Sequence, residues 1–310
     1  MHFTKMQGVG NDFVVVNSET PGFTGDPAAL AVRVCDRKFG VGADGLLLVT
    51  RLGAPGPIPP SLADRPDILR HLSDGSNAAF CMRMFNPDGT EDMCGNGLRC
   101  VGLWALKHGW LDSPSFAVLT KEGLRDVRVI SIDDGCRSAT LGVDMGLPRF
   151  ASSEIPFSYG TVDAVRDFDL AVDDRVFKIT SVNTGSTHTV IFGPQPSEDD
   201  FQKYSPLIEE HAYFPERTSV LWSTASAVGD PSRPLQIQTR IWERGAGETL
   251  GCGTGACAVA VAAKSLGIAS KSQVVQVISR GGTLAIGWGG EGSDVDMVGP
   301  AVIVYEGNWH

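Results

Sequence analysis

Two short motifs in this chain have the residue types and the spacing for proton-transfer chemistry. Each has a cysteine followed by a Gly-x-Gly turn, beginning at Cys94 in the first half and at Cys252 in the second. At the start of a helix a cysteine meets unpaired N–H groups and about half a positive charge, which favour its thiolate form. The glycines let the backbone approach an anion such as a carboxylate. One such motif is a weak signal, but two in one chain favour a function over a purely structural role.

Paired thiols suit the inversion of a stereocentre. Inversion needs a base on one face of the carbon and an acid on the other, and a thiolate and a thiol can exchange these roles when the reaction reverses. Charge that develops on the substrate's carboxylate is stabilised by preorganised N–H groups. An organic electron sink is then not required, so we expect amino-acid racemisation or epimerisation without a cofactor.

The segments after the two motifs predict the elements that hold the cysteines. They read VGLWALKHG and AVAVAAKSLG, and each is closed by a glycine that we interpret as a C-cap, Gly109 or Gly267. A helix that is apolar on nearly all faces is expected to be buried on all sides. Further helices are predicted over 27–38 and 200–211, and strands for FVVV, GLLLVT, SVLW, QIQTRIW and VVQVIS. The simplest fold is two similar α/β domains, each wrapping strands around one central helix.

The composition excludes several classes of partner. The net charge is −10 and the pI is near 5, with no basic stretch, which argues against binding of nucleic acid or of an anionic membrane. The N-terminus lacks the pattern of a signal peptide, and the longest apolar run, ACAVAVAA, is too short to span a bilayer. We therefore expect a cytoplasmic protein with a small-molecule amino-acid substrate, and a homodimer is the assembly that we consider.

The number and spacing of the cysteines bear on whether they are cross-linked or bind a metal. The chain has seven cysteines, an odd number, and no CxxC, so neither a disulfide framework nor a zinc site is expected. We interpret Cys35, Cys81 and Cys136 as buried and inert small hydrophobic residues.

Three other patterns in the sequence could indicate a function. The Gly-rich segment from Gly40 to Gly45 matches a dinucleotide motif, but it follows a helix and precedes a strand, so we reject that function. The six histidines form no cluster, and a lone residue such as His188 is more often structural. The pair Glu243 and Arg244 is either a solvated turn or a substrate clamp, and its position before Cys252 favours the clamp.

Five blocks of the sequence resemble the diaminopimelate epimerase family: KMQGVGNDFVVV at 5–16, KFGVGADGL at 38–46, FNPDGTEDMCGNGLRC at 85–100, FPERTSV at 214–220 and ERGAGETLGCGTGACA at 243–258. They span nearly the whole chain in the family's order. The resemblance implies an α/β (α+β) fold of two pseudo-symmetric domains, each a curled mixed β-sheet around a central helix, with the active site between them. It also implies interconversion of LL- and meso-diaminopimelate, for lysine and peptidoglycan, without pyridoxal phosphate and without a metal.

The same pattern suggests where the domains divide. We place the domain that carries Cys94 at residues 1–127 and the domain that carries Cys252 at 128–299, and we expect a last strand at about 300–310 to return to the first domain. The segment 51–81 is longer than in the family, and its part 53–66, rich in proline and glycine, predicts a surface loop or insertion.

Site residues follow from the resemblance, residue by residue. It assigns Cys94 and Cys252 as the acid/base pair, and His188 and Glu243 match positions that bias the protonation of the thiols. It gives two further groups, the cradle of the reacting carboxylate and the contacts to the substrate's amino and carboxylate groups. The first group is Gly95, Asn96, Gly253 and Thr254, and the second is Asn11, Asn86 and Arg244.

Two positions depart from the family's pattern and keep alternatives open. Ser186 and Ser219 stand where the family has Asn in contact with substrate, and serine loses one hydrogen-bonding group. The second hypothesis is therefore an epimerase or racemase of the same fold that acts on another polar amino acid. A third hypothesis is a thiol redox or sensing protein in which Cys94 and Cys252 form a disulfide.

Overall fold

The chain divides after Asp144 into two units. The structure is a computed structural model that describes residues 1–21, 23, 26–52, 78–160, 162–226, 230 and 232–310. Unit 1 comprises Met1–Asp144 together with Gly299–His310, and unit 2 comprises Met145–Val298. The boundary predicted at 127/128 does not coincide with this division, because it falls inside a strand, Gly123–Ile132, that pairs along its length.

Unit 1 consists of short strands and two helices among its described residues. In chain order these elements are β1 (His2–Gly8), β2 (Asn11–Asn17), α1 (Pro27–Val34), β3 (Gly45–Arg51), β4 (Ala78–Phe85), β5 (Glu91–Asp92), α2 (Gly95–Lys107), β6 (Ser115–Thr120), β7 (Gly123–Ile132) and β8 (Ser138–Asp144). Of the predicted long segment 51–81, Arg51 ends β3 and residues 78–81 begin β4, whereas the predicted loop 53–66 lies outside the described residues.

Unit 2 repeats this order after one additional strand. Its elements are β9 (Phe168–Val172), β10 (Arg175–Asn183), β11 (Thr187–Phe192), α3 (Glu198–Glu209), β12 (Ser219–Ala225), β13 (Leu235–Glu243), β14 (Gly247–Thr249), α4 (Gly253–Ser265), β15 (Val275–Ser279), β16 (Gly282–Trp288) and β17 (Val295–Asn308), whose last residues belong to unit 1. The runs that were predicted as strands lie in β2, β3, β12, β13 and β15, so these predictions are confirmed.

The two units also repeat the pairing of their strands. The parallel pairs are β2–β3 and β4–β6 in unit 1 and β11–β12 and β13–β15 in unit 2. The neighbouring pairs β1–β2, β3–β4, β6–β7 and β7–β8 are antiparallel, as are their counterparts β10–β11, β12–β13, β15–β16 and β16–β17. Each unit is therefore a mixed sheet with the same topology, as expected for an α+β fold.

The sheet of each unit curls around one helix. In unit 1, β17 pairs with β1 and with β8, so that the strands close around α2. In unit 2 the extended segment 145–149 bonds to β17 at Val295 and to β10 at Asn183. Residues 95–105 of α2 and residues 253–264 of α4 are buried on all faces, which confirms the prediction from their apolar sequences. None of the described helices is long and apolar enough to cross a membrane.

Both central helices end in the same hydrogen-bonded turn. The N–H groups of Gly109 and Trp110 donate to the carbonyls of Leu106 and Ala105, and Gly267 and Ile268 make the equivalent bonds in α4. This is the Schellman arrangement, in which the glycine stands one residue beyond the cap. Gly109 has φ +68° and Gly267 has φ +74°, a region that residues with a Cβ adopt at a cost.

The other two helices differ from their predicted limits at the ends. Helix α1 stops at Val34, not at residue 38, because the Asp36 carboxylate accepts the N–H groups of Lys38 and Phe39 and holds a turn there. Helix α3 begins two residues earlier than predicted, because Ser197 caps it through the N–H of Asp200.

We predict that Gly267→Ala lowers the free energy of unfolding by about 1 kcal/mol, the cost of a Cβ at positive φ. Space is not the cause, since nothing lies within 4 Å of an added Cβ at Gly267. Gly193→Ala is the matched control, because an added Cβ there also meets nothing within 4 Å and Gly193 is not among the positive-φ glycines. Urea unfolding of both variants measures the difference, and equal stabilities would contradict the assignment.

Candidate active site

Each motif cysteine is the N-cap of a buried central helix. Cys94 and Cys252 have extended backbones, with φ −137° and −130°, and the first helical residues are Gly95 and Gly253. The Cys94 sulfur accepts the N–H of the third helical residue at 3.4 Å, and the Cys252 sulfur accepts the equivalent N–H at 3.3 Å. The sulfur thus takes the position that a Ser or Asp oxygen usually occupies, and this acceptor role favours a negative sulfur.

The second glycine of each motif is required by packing. A Cβ at Gly97 would lie 2.9 Å from Leu47 Cδ2, and a Cβ at Gly255 would lie 3.2 Å from Leu221 Cδ2 and 3.3 Å from the Cys252 sulfur. Leu47 belongs to β3 and Leu221 to β12, the corresponding strands of the two units. The glycines therefore let the first helical turn, which carries the N–H donors, lie directly on the sheet.

In unit 1 the Asn11 side chain lies next to Cys94 and is bonded to Asn96. The Asn11 Oδ1 lies 3.7 Å from the Cys94 sulfur and accepts the Asn96 Nδ2 at 3.3 Å. Asn11 begins β2, next to the turn in which Gly10 has φ +79°. Three of the predicted site residues, Asn11, Cys94 and Asn96, are thus brought together by the structure.

Charged groups at both ends fix the direction of these amides. Arg99, which is fully buried, donates to Asn96 Oδ1 at 2.6 Å, and Asn11 Nδ2 donates to Asp44 Oδ2 at 2.8 Å. A guanidinium only donates and a carboxylate only accepts, so each amide can point in one direction alone. This direction leaves the Asn11 oxygen facing the sulfur of Cys94.

Asp44 belongs to a cluster of charges that sequence reasoning did not connect to the site. Its second oxygen accepts Arg37 at 2.7 Å, and Arg37 also binds Asp12, which pairs with the buried Lys5 at 2.5 Å. Burial acts to raise the pKa of Asp12, but hydrogen bonds from Arg37 and Lys5 outweigh it and lower the value. The G-x-G-x-x-G segment therefore supplies a carboxylate that holds Asn11, and it lies between a helix and a strand as predicted.

Asn86 is placed differently from the other predicted residues of unit 1. It lies in the turn between β4 and β5, where its Nδ2 donates to Thr90 Oγ1 at 3.0 Å and its N–H donates to the Thr90 carbonyl. The hydrogen bonds described for Asn86 thus stay inside this hairpin, and its contact with substrate remains a proposal.

In unit 2 the loop before β11 lies against the start of α4. Thr184 Oγ1 donates to the Thr254 carbonyl at 2.8 Å, and a Cβ at Gly185, whose φ is +111°, would lie 3.2 Å from Thr254 Cγ2. The Thr254 hydroxyl in turn lies 3.3 Å from the Cys252 sulfur. Thr184 was not singled out from the sequence, because an isolated threonine carries no motif.

His188 is a buried and neutral imidazole. Its Nε2 bonds the Ser186 hydroxyl at 3.0 Å, its side chain is 1% exposed, and its Nδ1 has no hydrogen-bond partner among the described residues. Burial, and to a lesser extent the nearby Arg244 guanidinium, lowers the pKa of His188 to about 3. A buried ring nitrogen without a hydrogen-bond partner is costly, which distinguishes His188 from an ordinary core histidine.

Glu243 and Arg244 lie at the turn between β13 and β14, ahead of Cys252. The Glu243 carboxylate accepts Thr249 Oγ1 at 2.5 Å. The N–H of Arg244 donates to Ser219 Oγ at 3.1 Å, and its guanidinium donates to the Glu216 carbonyl at 3.0 Å while remaining exposed to solvent. Ser219 is paired with His188 in the β11–β12 register, so the structure brings Arg244, Ser219 and His188 together.

Other cysteines differ from the two N-caps. Burial raises the pKa of Cys35 and of Cys100 to about 12 in each case. Cys81 is also buried, as predicted, whereas Cys136 is only partly buried and has φ +49°. Among the described residues no three His, Cys, Asp or Glu side chains are grouped as metal ligands.

The fold is shared with solved structures of epimerases and racemases. A hydroxyproline epimerase from Agrobacterium vitis matches with a TM-score of 0.65 at 15% identity, covering 99% of this chain and 91% of that one. A probable proline racemase from Agrobacterium radiobacter K84 matches with a TM-score of 0.64 at 16% identity, covering 100% and 92%. At these identities the likeness establishes the fold.

Sequence comparison then gives the family. The model of the family described as diaminopimelate epimerase matches residues 3–150 and 180–304. A relative described as diaminopimelate epimerase, from Desulforudis audaxviator strain MP104C, is 42% identical over 310 residues, which is 100% of this chain and 99% of that protein. The chain therefore belongs to the diaminopimelate epimerase family.

We predict that the imidazole of His188 stays neutral down to about pH 4 and makes folding sensitive to acid. The unfolded chain binds a proton at the ordinary histidine pKa of about 6.5, whereas the folded chain does not until about 3. Unfolding is therefore favoured as the pH falls below about 6.5, by at most about 1.4 kcal/mol per pH unit.

Urea unfolding at pH 7 and pH 5 measures this effect. His188→Gln removes the titrating group, so the wild-type protein is expected to lose up to about 2 kcal/mol more than the variant between these pH values. NMR of the ring carbons, assigned with the same variant, reports the protonation directly. Equal losses of stability, or a His188 signal that titrates near pH 6, would contradict the assignment.

Proposed function

We propose that the protein is an isomerase that interconverts LL- and meso-diaminopimelate by proton transfer at Cα. The observation that supports this most directly is the N-cap position of Cys94 and of Cys252, each with its sulfur bonded to a helical N–H, in a chain of the diaminopimelate epimerase family. The proposal places the reaction in lysine and peptidoglycan synthesis, and includes a cytoplasmic location and a homodimeric assembly.

The proposed chemistry transfers protons without a change of oxidation state. One cysteine, as thiolate, removes the Cα proton from one face, and the other, as thiol, delivers its proton to the opposite face. The two sulfurs thereby exchange their protonation states, and the reverse reaction uses them in the opposite order. Charge that develops on the substrate's carboxylate is stabilised by the N–H groups at Gly95, Asn96, Gly253 and Thr254.

The remaining residues take roles in orientation and binding. Asn11 orients the thiol of Cys94 through its oxygen, and the neutral His188 and the carboxylate of Glu243 influence the protonation of the thiols. Arg244 and Asn86 bind the distal end of the substrate, where a second carboxylate offers a bidentate partner to a guanidinium.

Ser186 and Ser219 favour a second candidate, an epimerase or racemase for another polar amino acid. Their hydroxyls are already engaged, by His188 and by the N–H of Arg244. They therefore contribute less to substrate binding than the family's Asn would. Activity on a panel of amino acids together with none on diaminopimelate would establish this candidate.

The redox hypothesis is separated from both by a simple treatment. If a disulfide between Cys94 and Cys252 is incidental, mildly oxidised protein is inactive and a thiol reductant restores its turnover. A protein that is active only when oxidised would favour the redox function.

The proposed function is tested by incubating reduced protein with LL-diaminopimelate in deuterated buffer. Loss of the Cα–H signal together with meso product, followed by NMR, supports both the reaction and the substrate. No exchange from folded, reduced protein would overturn diaminopimelate as the substrate.

Cys94→Ala and Cys252→Ala are each expected to lower kcat/KM about 10²–10⁴-fold in both directions, because each removes one of two required proton carriers. Cys136→Ala is the control, because it is the same substitution at a free cysteine that lies outside both motifs. The measurement is epimerisation from LL- and from meso-diaminopimelate. Turnover retained within about tenfold in either motif variant would exclude that cysteine as a proton carrier.

Asp44→Asn is expected to lower kcat roughly 10–100-fold with a smaller change in KM. An asparagine can donate as well as accept, so the direction of the Asn11 amide next to Cys94 is no longer determined. Asp126→Asn makes the same chemical change at an exposed position of β7 and is expected to remain within about twofold. An unchanged kcat for Asp44→Asn would show that Asn11 is held in another way.

A further inference from the structure

A buried carboxylate lies next to the Arg244 turn and outside the assigned site. Glu209, the last residue of α3, is 5% exposed and accepts three hydrogen bonds. Trp242 Nε1 donates to one oxygen at 2.7 Å. The other oxygen accepts the N–H of Gly245 at 2.7 Å and the guanidinium of Arg217 at 3.2 Å. A charge at this depth is stable only if its partners stay in place.

Two of the three donors belong to turns that meet at Arg244. Gly245 follows Arg244 in the turn between β13 and β14, and Arg217 follows Glu216 in the turn before β12. The Arg244 guanidinium donates to the Glu216 carbonyl at 3.0 Å. Glu209 therefore binds the residue next to each partner of this contact, and holds both turns with one carboxylate.

The two turns contact each other, and one of them has a costly backbone conformation. Arg217 has φ +59°, which is unfavourable for a residue with a Cβ, and Gly245 has φ +76°. A Cβ at Gly245 would lie 3.4 Å from Arg217 Nη2, so the turns are in close contact. Glycine adopts a positive φ at little cost, whereas Arg217 does not, so the bond from its guanidinium to Glu209 helps to hold this turn.

We propose that Glu209 is a positioning residue that preorganises Arg244 for the anionic group at the far end of the substrate. The proposal rests on the proposed function, since it assigns a distal anion to Arg244. Ser219 fixes the N–H of Arg244 and Glu209 fixes the next N–H along the chain. The guanidinium thus loses less freedom when the substrate binds, and binding is tighter for substrates that carry a second carboxylate.

The test compares Glu209→Ala with Glu210→Ala. Glu210 is the adjacent residue and is exposed, so it carries the same chemical change without the buried contacts. Glu209→Ala is expected to raise KM for diaminopimelate about tenfold with kcat within about threefold, because a contact made equally in the ground and transition states affects KM. Glu209→Gln keeps one acceptor oxygen and is expected to raise KM by about threefold.

A double-mutant cycle with Arg244→Met shows whether Glu209 acts through Arg244. In the Arg244→Met background, Glu209→Ala should raise KM no further, because the guanidinium that it positions is absent. Additive increases in KM would overturn the proposal. A lowered melting temperature with unchanged KM would also overturn it, since the role would then be structural only. If Glu209→Ala does not fold, the same double-mutant cycle is measured with Glu209→Gln.

A substrate-independent measurement separates this inference from the proposed function. Hydrogen exchange of the backbone over residues 242–250 should be faster in Glu209→Ala than in Glu210→Ala, because the N–H of Gly245 loses its acceptor. If the wild-type protein does not epimerise diaminopimelate, the proposed function is overturned. If the wild-type protein is active but hydrogen exchange in Glu209→Ala is unchanged, only the role of Glu209 is overturned.

Discussion

The bond from a helical N–H to a cysteine sulfur is the interaction on which the rest of each unit depends. Helices α2 and α4 begin inside the protein, so their first N–H groups cannot all be left to water. A sulfur at the N-cap satisfies one of them, and its acceptor role favours the anionic form that proton abstraction requires. The curled sheet, the glycines at the first turn and the apolar faces of the helices all serve to bury that helix start. The fold and the proposed chemistry therefore place the same demand on the two cysteines.

Much of this arrangement could be predicted from the sequence because its signals are local. The Cys-Gly-x-Gly motif, the apolar stretch and the closing glycine lie within about five helical turns of one another, and each has its own physical meaning. The apolar runs likewise identified strands such as β3 and β12. The ends of α1 and α3 were less predictable, because each depends on a single side chain. The Asp36 carboxylate forms the turn that follows α1, and the Ser197 hydroxyl caps the start of α3. The domain boundary was predicted inside β7, whose pairing partners cannot be read from its own sequence.

The supporting residues were missed because their contacts join distant parts of the chain. Asp44 reaches Asn11 across 33 positions, Thr184 reaches Thr254 across 70, and Glu209 reaches Gly245 across 36. The residue types at these three positions do not by themselves indicate that the side chains support a site. The resemblance to the family predicted the residues that contact the substrate, and the structure shows the side chains that hold some of them.

The repeated topology explains how one chain provides two cysteines in equivalent backbone positions. A reaction that runs in both directions through the same two groups needs each sulfur to act as acid and as base, and the equivalent helix starts give both sulfurs the same backbone donor. Their side-chain surroundings differ. Cys94 faces an amide oxygen whose direction is fixed by charged groups, whereas Cys252 lies beside the Thr254 hydroxyl, and the loop that carries the neutral His188 contacts Thr254. The backbone therefore gives the two thiols the same setting, as the proposed exchange of roles requires, whereas the side chains around each thiol differ.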